Sequence, residues 1–152
     1  MRRMRYVVAN LKMKLVSKEE NLEYLATLSE TMKGWKGDDV RVIVCPSFPF
    51  LGEFNKKLPK RVALGAQDVA SDDVGAFTGD VSPKSLTDFG VTYTLVGHSE
   101  RREFHGESDI LLGKKLITSL RNGMQPIFCV GETSVERSTG KTFSVIRRQI
   151  ES

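Results

Sequence analysis

The stretch TLVGHSERREF, residues 94–104, decides how the rest of the chain is interpreted. An apolar run ends at Gly97, and the polar or charged residues HSERR follow at once. In parallel α/β folds, the loops after the carboxyl ends of the strands converge on one face and carry the functional groups. The stretch therefore predicts a buried parallel strand that delivers polar side chains to a pocket.

Similar apolar runs recur along the chain, with helical patterns between them. Together they predict strands at 5–10, 40–46, 61–67, 91–97 and 125–131. The runs are continuous rather than alternating, which is typical of parallel strands covered on both faces. Repeated βα units indicate an α/β fold, and the pattern alone fits a doubly wound sheet as well as a barrel. No stretch has the composition of a linker, so we predict a single domain over 1–152.

Helical signals fill the intervals between the strands. Ser17 and Glu20 form a capping-box pattern before a helix that Gly34 can end. Ser108 is a second N-cap candidate, and Gly123 follows the helix that it begins. The apolar residues of that helix are Ile110, Leu111, Leu116, Ile117 and Leu120. Further helices are predicted near 49–57, after Pro83 and at 142–151.

The composition excludes several classes of protein. The chain has 152 residues, of which 39% are hydrophobic and 28% charged, so it is neither disordered nor a membrane protein by composition. Its net charge of +4 comes from Lys and Arg scattered among Asp and Glu, which is typical of a solvated surface and not of a nucleic-acid interface. Cys45 and Cys129 are lone thiols on apolar strands, which favours two buried, reduced cysteines in a cytoplasmic protein. No Cys/His spacing suggests a metal site.

Polar residues follow the predicted strands. Asn10 and Lys12 follow the first strand, and Gln67 with a glycine-bearing loop follows the third. Gly131 and Glu132 follow the fifth. A fixed cation, an amide and a histidine at a helix start, where neutral imidazole is favoured, suit a site that stabilises negative charge on a small substrate's oxygens.

Each candidate residue also has a purely structural interpretation. The spacing around His98 fits a hydrogen-bonded structural histidine as well as a functional one. A lysine in the position of Lys12 is more often a solvated surface residue. Glu100 could pair with Lys12, although its segment is more typical of a charged, solvated turn. Ser99 directly follows His98 and is badly placed for a nucleophile–base pair. Cys129, on an apolar strand, is more typical of packing than of a nucleophile.

Taken in order, five segments resemble the triosephosphate isomerase family. They are VVANLKMK (7–14), GAQDVASDDVGAFTGDVS (65–82), TLVGHSERRE (94–103), PIFCVGET (126–133) and ERSTGKTFSVIRRQI (136–150). The match runs from about residue 4 to the end with the family's spacing. Each motif is weak to moderate by itself, whereas the set is highly specific.

The resemblance implies a partial (β/α)8 barrel made of its first five βα units. It also implies interconversion of dihydroxyacetone phosphate and D-glyceraldehyde 3-phosphate, a step of glycolysis and gluconeogenesis, with no cofactor and no metal. This family is itself the standard case of a neutral histidine beside a carboxylate base. By resemblance, the catalytic residues are His98 and Lys12, the substrate-binding residues Asn10 and Lys12, and the supporting residues Glu100, Ser99 and Cys129.

The family resemblance further implies a homo-oligomer. The loop after the third strand would dock into a twin subunit, with Thr78 reaching the partner's pocket and Phe77 and Gly79 beside it. Leu11 stands where the family mostly has Trp, which suggests looser packing under the lysine loop, and Asp80 stands where Glu is common. Neither departure removes a catalytic group.

The family's later elements have no counterpart in these 152 residues. A full barrel has eight βα units and about 250 residues, and the missing part would carry the general-base glutamate, the lid and the phosphate loops. The sequence therefore favours an isomerase that is inactive alone and active when a complementary C-terminal half completes it. The alternative is a non-catalytic fragment that self-assembles as an α/β module. In both cases we expect the first and fifth strands to be free edges, and the side chains of the barrel interior to face solvent.

Overall fold

The computed structural model describes residues 3–152, so the first two residues of the predicted 1–152 domain lie outside the described residues. Its strands are β1 (Arg5–Asn10), β2 (Val40–Cys45), β3 (Val62–Ala66), β4 (Tyr93–Val96) and β5 (Gln125–Phe128). All five predicted strands are confirmed. The largest difference is at β5, which ends at Phe128 rather than at residue 131.

Helices occupy the intervals between the strands. They are α1 (Lys18–Thr31), α2 (Leu51–Lys57), α3 (Pro83–Asp88), α4 (Ser99–Phe104), α5 (Asp109–Arg121), α6 (Ser134–Ser138) and α7 (Thr142–Glu151), with a 3₁₀ turn at Phe48–Phe50 before α2. The predicted capping box of α1 is confirmed, because Ser17 Oγ accepts from the Glu20 amide and Glu20 Oε2 accepts from the Ser17 amide. The helix start expected at His98 is confirmed by α4, whereas α6 was not predicted as a separate helix, since its five residues are too few to show a helical period. No helix within the described residues combines the length and the apolarity needed to cross a membrane.

The strands form one parallel sheet in the order β1-β2-β3-β4-β5. Spatial order equal to chain order is the winding of a barrel, since a doubly wound sheet reverses direction at its switch point. The sheet is strongly curled. The rings of Tyr6 on β1 and Tyr93 on β4 lie 6.4 Å apart, whereas three strand spacings in a flat sheet would separate them by about 14 Å. The fold is thus a curled half-barrel, which agrees with the partial (β/α)8 barrel that the family resemblance implied.

The larger core lies between the convex face of the sheet and the helices. Its buried members include Leu25, Val44, Phe54, Leu64, Leu86, Val96 and Leu112. The strand residues of this set alternate with those of the concave face, as the pleat requires. The convex core therefore holds the helices against the sheet and leaves the carboxyl ends of the strands free for polar residues.

The concave face carries a second, smaller apolar layer. Ile43 and Cys45 are fully buried and Leu95 is 4% exposed, with Tyr93 packed against them. The expectation that interior side chains face solvent is therefore wrong at the centre of the sheet, because the curl brings these strands over one another. It is correct at the β1 edge, where Tyr6 is 56% exposed.

α5 turns a different face inward from the one suggested by its apolar residues. Ile110, Ile117 and Leu120 are exposed, whereas Lys115 and Thr118 are buried. The physical reason is a set of polar contacts under the helix. The Lys115 ammonium donates to both carboxylate oxygens of Asp68, and the Thr118 hydroxyl donates to the carbonyl of Ser71.

The two cysteines differ in burial. Cys45 is buried on β2, as expected, whereas Cys129 lies just after the end of β5 and is only half-buried. The expectation of two buried thiols is therefore wrong for Cys129, because the shorter β5 leaves this residue in the loop. Both cysteines are free thiols.

Candidate active site

The carboxyl ends of β1, β2, β3 and β4 bring most of the predicted polar residues together. Asn10, the last residue of β1, is in register with Cys45, the last residue of β2. The predicted pair between Lys12 and Glu100 is present, with 2.7 Å between Nζ and Oε1 across 88 positions of sequence. Glu100 lies in α4, which begins directly after His98. The loops after β1 and β4 therefore share one polar cluster.

Lys12 has an unusual backbone conformation. Its φ of 51° is left-handed, and it is the one non-glycine residue with positive φ in the described part of the chain. Such a residue costs about 1–3 kcal/mol unless its surroundings hold it. Its amide donates to Asn10 Oδ1 at 2.9 Å, and its carbonyl accepts from Ser47 Oγ at 2.8 Å and from Gln67 Nε2 at 2.9 Å. Each of these bonds contributes about 0.5–1.5 kcal/mol, so together they offset the strain.

Ser47 was missed at the level of sequence. It follows Pro46 at the end of β2, so its place after a strand was a usable signal. Gln67 was noted only for its place after the third strand. Both residues prove to contact the lysine loop rather than the open pocket.

His98 is held in one tautomer. It is the N-cap of α4, and its Nδ1 accepts a hydrogen bond from the Glu100 amide at 3.2 Å. Nδ1 also lies 3.6 Å from Glu100 Oε2, which would be an ion pair only if Nδ1 carried a proton. An amide N–H directed at Nδ1 requires a lone pair there, so the ring is neutral with its proton on Nε2. The geometry therefore presents a neutral N–H donor.

The two carboxylates at this face are ionised. The hydrogen bond from Lys12 lowers the pKa of Glu100, with the charges of Lys12 and Lys14 acting in the same direction. The hydrogen bond from Arg137 Nε, 2.7 Å from Glu132 Oε1, lowers the pKa of Glu132. Glu132 is thus tied to α6 and does not join the Lys12 cluster. A lowered pKa makes each carboxylate a weak base near neutral pH.

Ser99 and Cys129 line a groove between the ends of β4 and β5. Its volume is about 880 Å³, and His98 and Glu132 also border it. Burial raises the pKa of the Cys129 thiol, the Arg102 charge opposing this only in part. The thiol is therefore protonated and unreactive near neutral pH. Ser99 is the first residue of α4.

The loop between β3 and α3 is exposed over residues 74–80. Hydrogen bonds from the Ala70 amide to the Val81 carbonyl and from the Asp80 amide to the Phe77 carbonyl close it. Phe77 is 47% exposed, and Thr78 and Gly79 are exposed beside it. Within residues 3–152, no group of His, Cys, Asp and Glu side chains is arranged to hold a metal ion.

Comparison with known proteins identifies the family. Residues 5–152 match the family model described as triosephosphate isomerase. The triosephosphate isomerase of Thiobacillus denitrificans is 41% identical over 150 residues, which are 98% of this chain and 58% of that protein. That of Cupriavidus pinatubonensis is 47% identical over 112 residues, covering 73% and 46% of the two chains. That of Natranaerobius thermophilus is 40% identical over 133 residues, covering 88% and 51%.

The matches cover different shares of this chain and of its relatives. The chain spans about half the length of the curated relatives that it matches. The match nevertheless covers nearly the whole of this chain and includes every strand of the curled sheet. The chain belongs to the triosephosphate isomerase family.

Proposed function

We propose that the chain supplies the electrophilic part of a triosephosphate isomerase site. In this proposal Lys12 and His98 stabilise the oxygens of the enediolate formed between dihydroxyacetone phosphate and D-glyceraldehyde 3-phosphate, and Asn10 contacts the substrate beside Lys12. The observation that carries the proposal is the junction of a fixed cation and a neutral imidazole donor through Glu100. Such preorganised donors are the largest contribution to catalysis in many sites where negative charge develops on oxygen.

The proton transfer requires a further group. A positioned general base contributes about 10²–10⁴-fold in rate. Glu100 and Glu132 are unsuited, since hydrogen bonds lower the pKa of both carboxylates. We propose supporting roles for Glu100, Ser99 and Cys129, and turnover only when the remaining part of the family's fold completes the site.

In this proposal the protein acts as an oligomer in the cytoplasm. The exposed loop that carries Phe77, Thr78 and Gly79 contacts a second subunit, with Thr78 nearest the partner's pocket. The exposure of this loop supports the proposal, because an apolar ring such as Phe77, which is 47% exposed, is stabilised by a partner surface.

A specific observation favours a second candidate function. Tyr6 and Val7 on β1 are 56% and 54% exposed, and a strand edge of this kind pairs readily with another chain. A non-catalytic module that self-assembles through its sheet would use these residues. The two candidates differ in whether turnover appears when the fold is completed.

The test is a coupled isomerase assay with glyceraldehyde 3-phosphate. The chain is assayed alone and together with the C-terminal part of the Thiobacillus denitrificans enzyme, the relative that aligns over 98% of this chain. We expect no turnover from the chain alone and measurable turnover from the assembled pair. His98→Ala and Lys12→Met should abolish it, whereas Lys14→Met, which removes an exposed lysine of the same loop, should retain it.

Two results would contradict the proposal. Turnover by the chain alone, lost in His98→Ala, would mean that a carboxylate within this chain acts as the base. Absence of turnover from a pair that co-elutes as one folded complex would favour the non-catalytic module.

A further inference from the structure

Three loops meet at one peptide group, the one that follows Lys12. Its carbonyl oxygen accepts from Ser47, which follows β2, at 2.8 Å and from Gln67, which follows β3, at 2.9 Å. On the other side of the same Cα, the Lys12 amide donates to Asn10 Oδ1 at 2.9 Å. The Lys12 ammonium then reaches Glu100 in α4. Residues at or just after the carboxyl ends of four strands thus act on a single residue.

These contacts determine where the lysine side chain points. The bond from Asn10 holds the peptide plane before the Lys12 Cα, and the bonds from Ser47 and Gln67 hold the plane after it. With both planes held, φ and ψ are set, and so is the direction of the Cα–Cβ bond. Without them Lys12 would relax from its φ of 51° to a right-handed or extended conformation, because L-residues avoid the left-handed region.

We propose that Ser47 and Gln67 are positioning residues for the Lys12 ammonium. They hold the left-handed backbone that directs Nζ to Glu100 and to the space beside His98. This inference rests on the proposed role of Lys12 as the cation of the site. Neither residue touches substrate in this proposal, and each acts only through the Lys12 carbonyl.

The side-chain chemistry suits this task. Gln67 Nε2 donates to the Cys45 carbonyl at 3.0 Å as well as to the Lys12 carbonyl, so its two hydrogens bridge β2 and the lysine loop. A glutamate at this position would be ionised at neutral pH and could not donate. The Cys45 carbonyl also accepts from the Leu11 amide at 3.1 Å, which ties the residue before Lys12 to the same strand end. Hydrogen bonds thus hold the loop both before and after Lys12.

The titration of the Glu100 carboxyl reports the position of the Lys12 ammonium without an assay of turnover. The Lys12 hydrogen bond is the largest cause of the lowered pKa of this carboxyl, and His98 and Lys14 are the other titratable groups that face it. The experiment titrates the Glu100 side-chain carboxyl by ¹³C NMR in the 152-residue chain, with the signal assigned from Glu100→Gln. We expect Gln67→Met and Ser47→Ala to move the midpoint upward, towards that of Lys12→Met, which sets the full effect.

Matched variants separate positioning from general damage. Ser47→Thr keeps the hydroxyl and should restore the wild-type midpoint. Gln125→Met removes an exposed glutamine at the amino-terminal end of β5, the end of the strand opposite the site. This variant should leave the midpoint unchanged. If Gln67→Met does not fold, Ser47→Ala still tests the inference. A midpoint that stays at the wild-type value in folded Ser47→Ala and Gln67→Met would overturn the inference.

Kinetics of the assembled pair give an independent measure. We expect Gln67→Met to lower kcat about tenfold to hundredfold with a smaller change in KM, since a displaced cation weakens the transition state more than the bound substrate. If the midpoint moves but the wild-type pair shows no turnover, the positioning holds and the proposed function fails. If the wild-type pair turns over and Gln67→Met changes neither midpoint nor kcat, the function holds and the positioning fails.

Discussion

At Gly65 the concave face of the sheet leaves no room for a side chain. A Cβ built there would lie 2.4 Å from Cys45 Sγ and 3.0 Å from Ile43 Cγ2, and both neighbours are fully buried. We expect Gly65→Ala to lower the free energy of unfolding by about 1–3 kcal/mol, the usual cost of overpacking. Urea denaturation measures this change.

Gly113 is the matched control for Gly65→Ala. It lies within α5, and its nearest atom to an added Cβ is the Ser152 carbonyl oxygen at 3.7 Å. Gly113→Ala should therefore raise stability by about 0.5–1 kcal/mol, since alanine is the better helix former. Equal effects from the two substitutions would contradict the packing argument.

We expect the free energy of unfolding to fall at alkaline pH because of the Cys45 thiol. Burial, with a smaller contribution from Cys129, raises the pKa of this thiol from 9.0 to about 12. The folded state therefore keeps a proton that the unfolded state releases above pH 9, so the free energy of unfolding decreases as pH rises from about 9 to 12. At about pH 10.5 the loss should be about 2 kcal/mol.

The measurement is urea denaturation of wild type and Cys45→Ala between about pH 8 and 10.5. Tyrosines and lysines titrate in both proteins, so the difference between the two slopes isolates this thiol. Cys45→Ala should be less stable at pH 8 because of the cavity, but its stability should decline less steeply. Parallel slopes would show that the Cys45 thiol ionises as readily in the folded chain as in the unfolded one.

At the level of elements, a buried ion cluster joins three segments. Lys115 of α5 donates to Asp68 after β3, and Arg101 of α4 contacts Asp68 at 2.9 Å and Glu107 at 2.7 Å. Burial raises the pKa of Asp68, whereas at Glu107 the hydrogen bonds from Lys115 and Arg101 together outweigh burial and lower the pKa. Two cations face two carboxylates, so the cluster is balanced in charge.

Removing one cation should be strongly destabilising. Lys115 is 4% exposed, and Lys115→Met would leave Asp68 and Glu107 with a single partner, Arg101. We expect a loss of about 3–5 kcal/mol, since a buried charge without its partner is not resolvated. Lys114→Met, at an exposed position of the same helix, should change stability by less than about 0.5 kcal/mol. A loss of similar size in both variants, measured by thermal denaturation, would contradict a specific role for the cluster.

At the level of the whole molecule, the sheet has two free edges within the described residues, at β1 and β5. Val7 on β1 is 54% exposed, and we expect the chain to self-associate through this edge. Val7→Lys should shift sedimentation velocity profiles towards the monomer, because an edge lysine opposes pairing.

Ile117→Lys serves as the control for the edge. Ile117 is 65% exposed but lies in α5, away from the sheet edge and from the loop between β3 and α3, so the same gain of charge should leave edge association intact. A wild-type chain that sediments as a monodisperse monomer and binds no apolar dye would rule out association through the edge.

Local sequence patterns were sufficient to place the strands and most helices and to identify the polar residues at the strand ends. The five strands, the capping box at Ser17 and the bounds of α7 follow from local patterns, because hydrophobic period and capping act over a few residues. The order of segments was also sufficient to predict the family. These properties depend on near neighbours in the chain.

Contacts between distant segments, by contrast, fix which side chains are buried and how Lys12 is held. The curl of the sheet buried Ile43, and the ion cluster turned Lys115 inward in place of Ile117. The carbonyl of the left-handed Lys12 accepts a hydrogen bond from Gln67, 55 positions along the chain. Burial and hydrogen bonding of this kind depend on what lies opposite in space, and a pattern read along one segment contains no information about it.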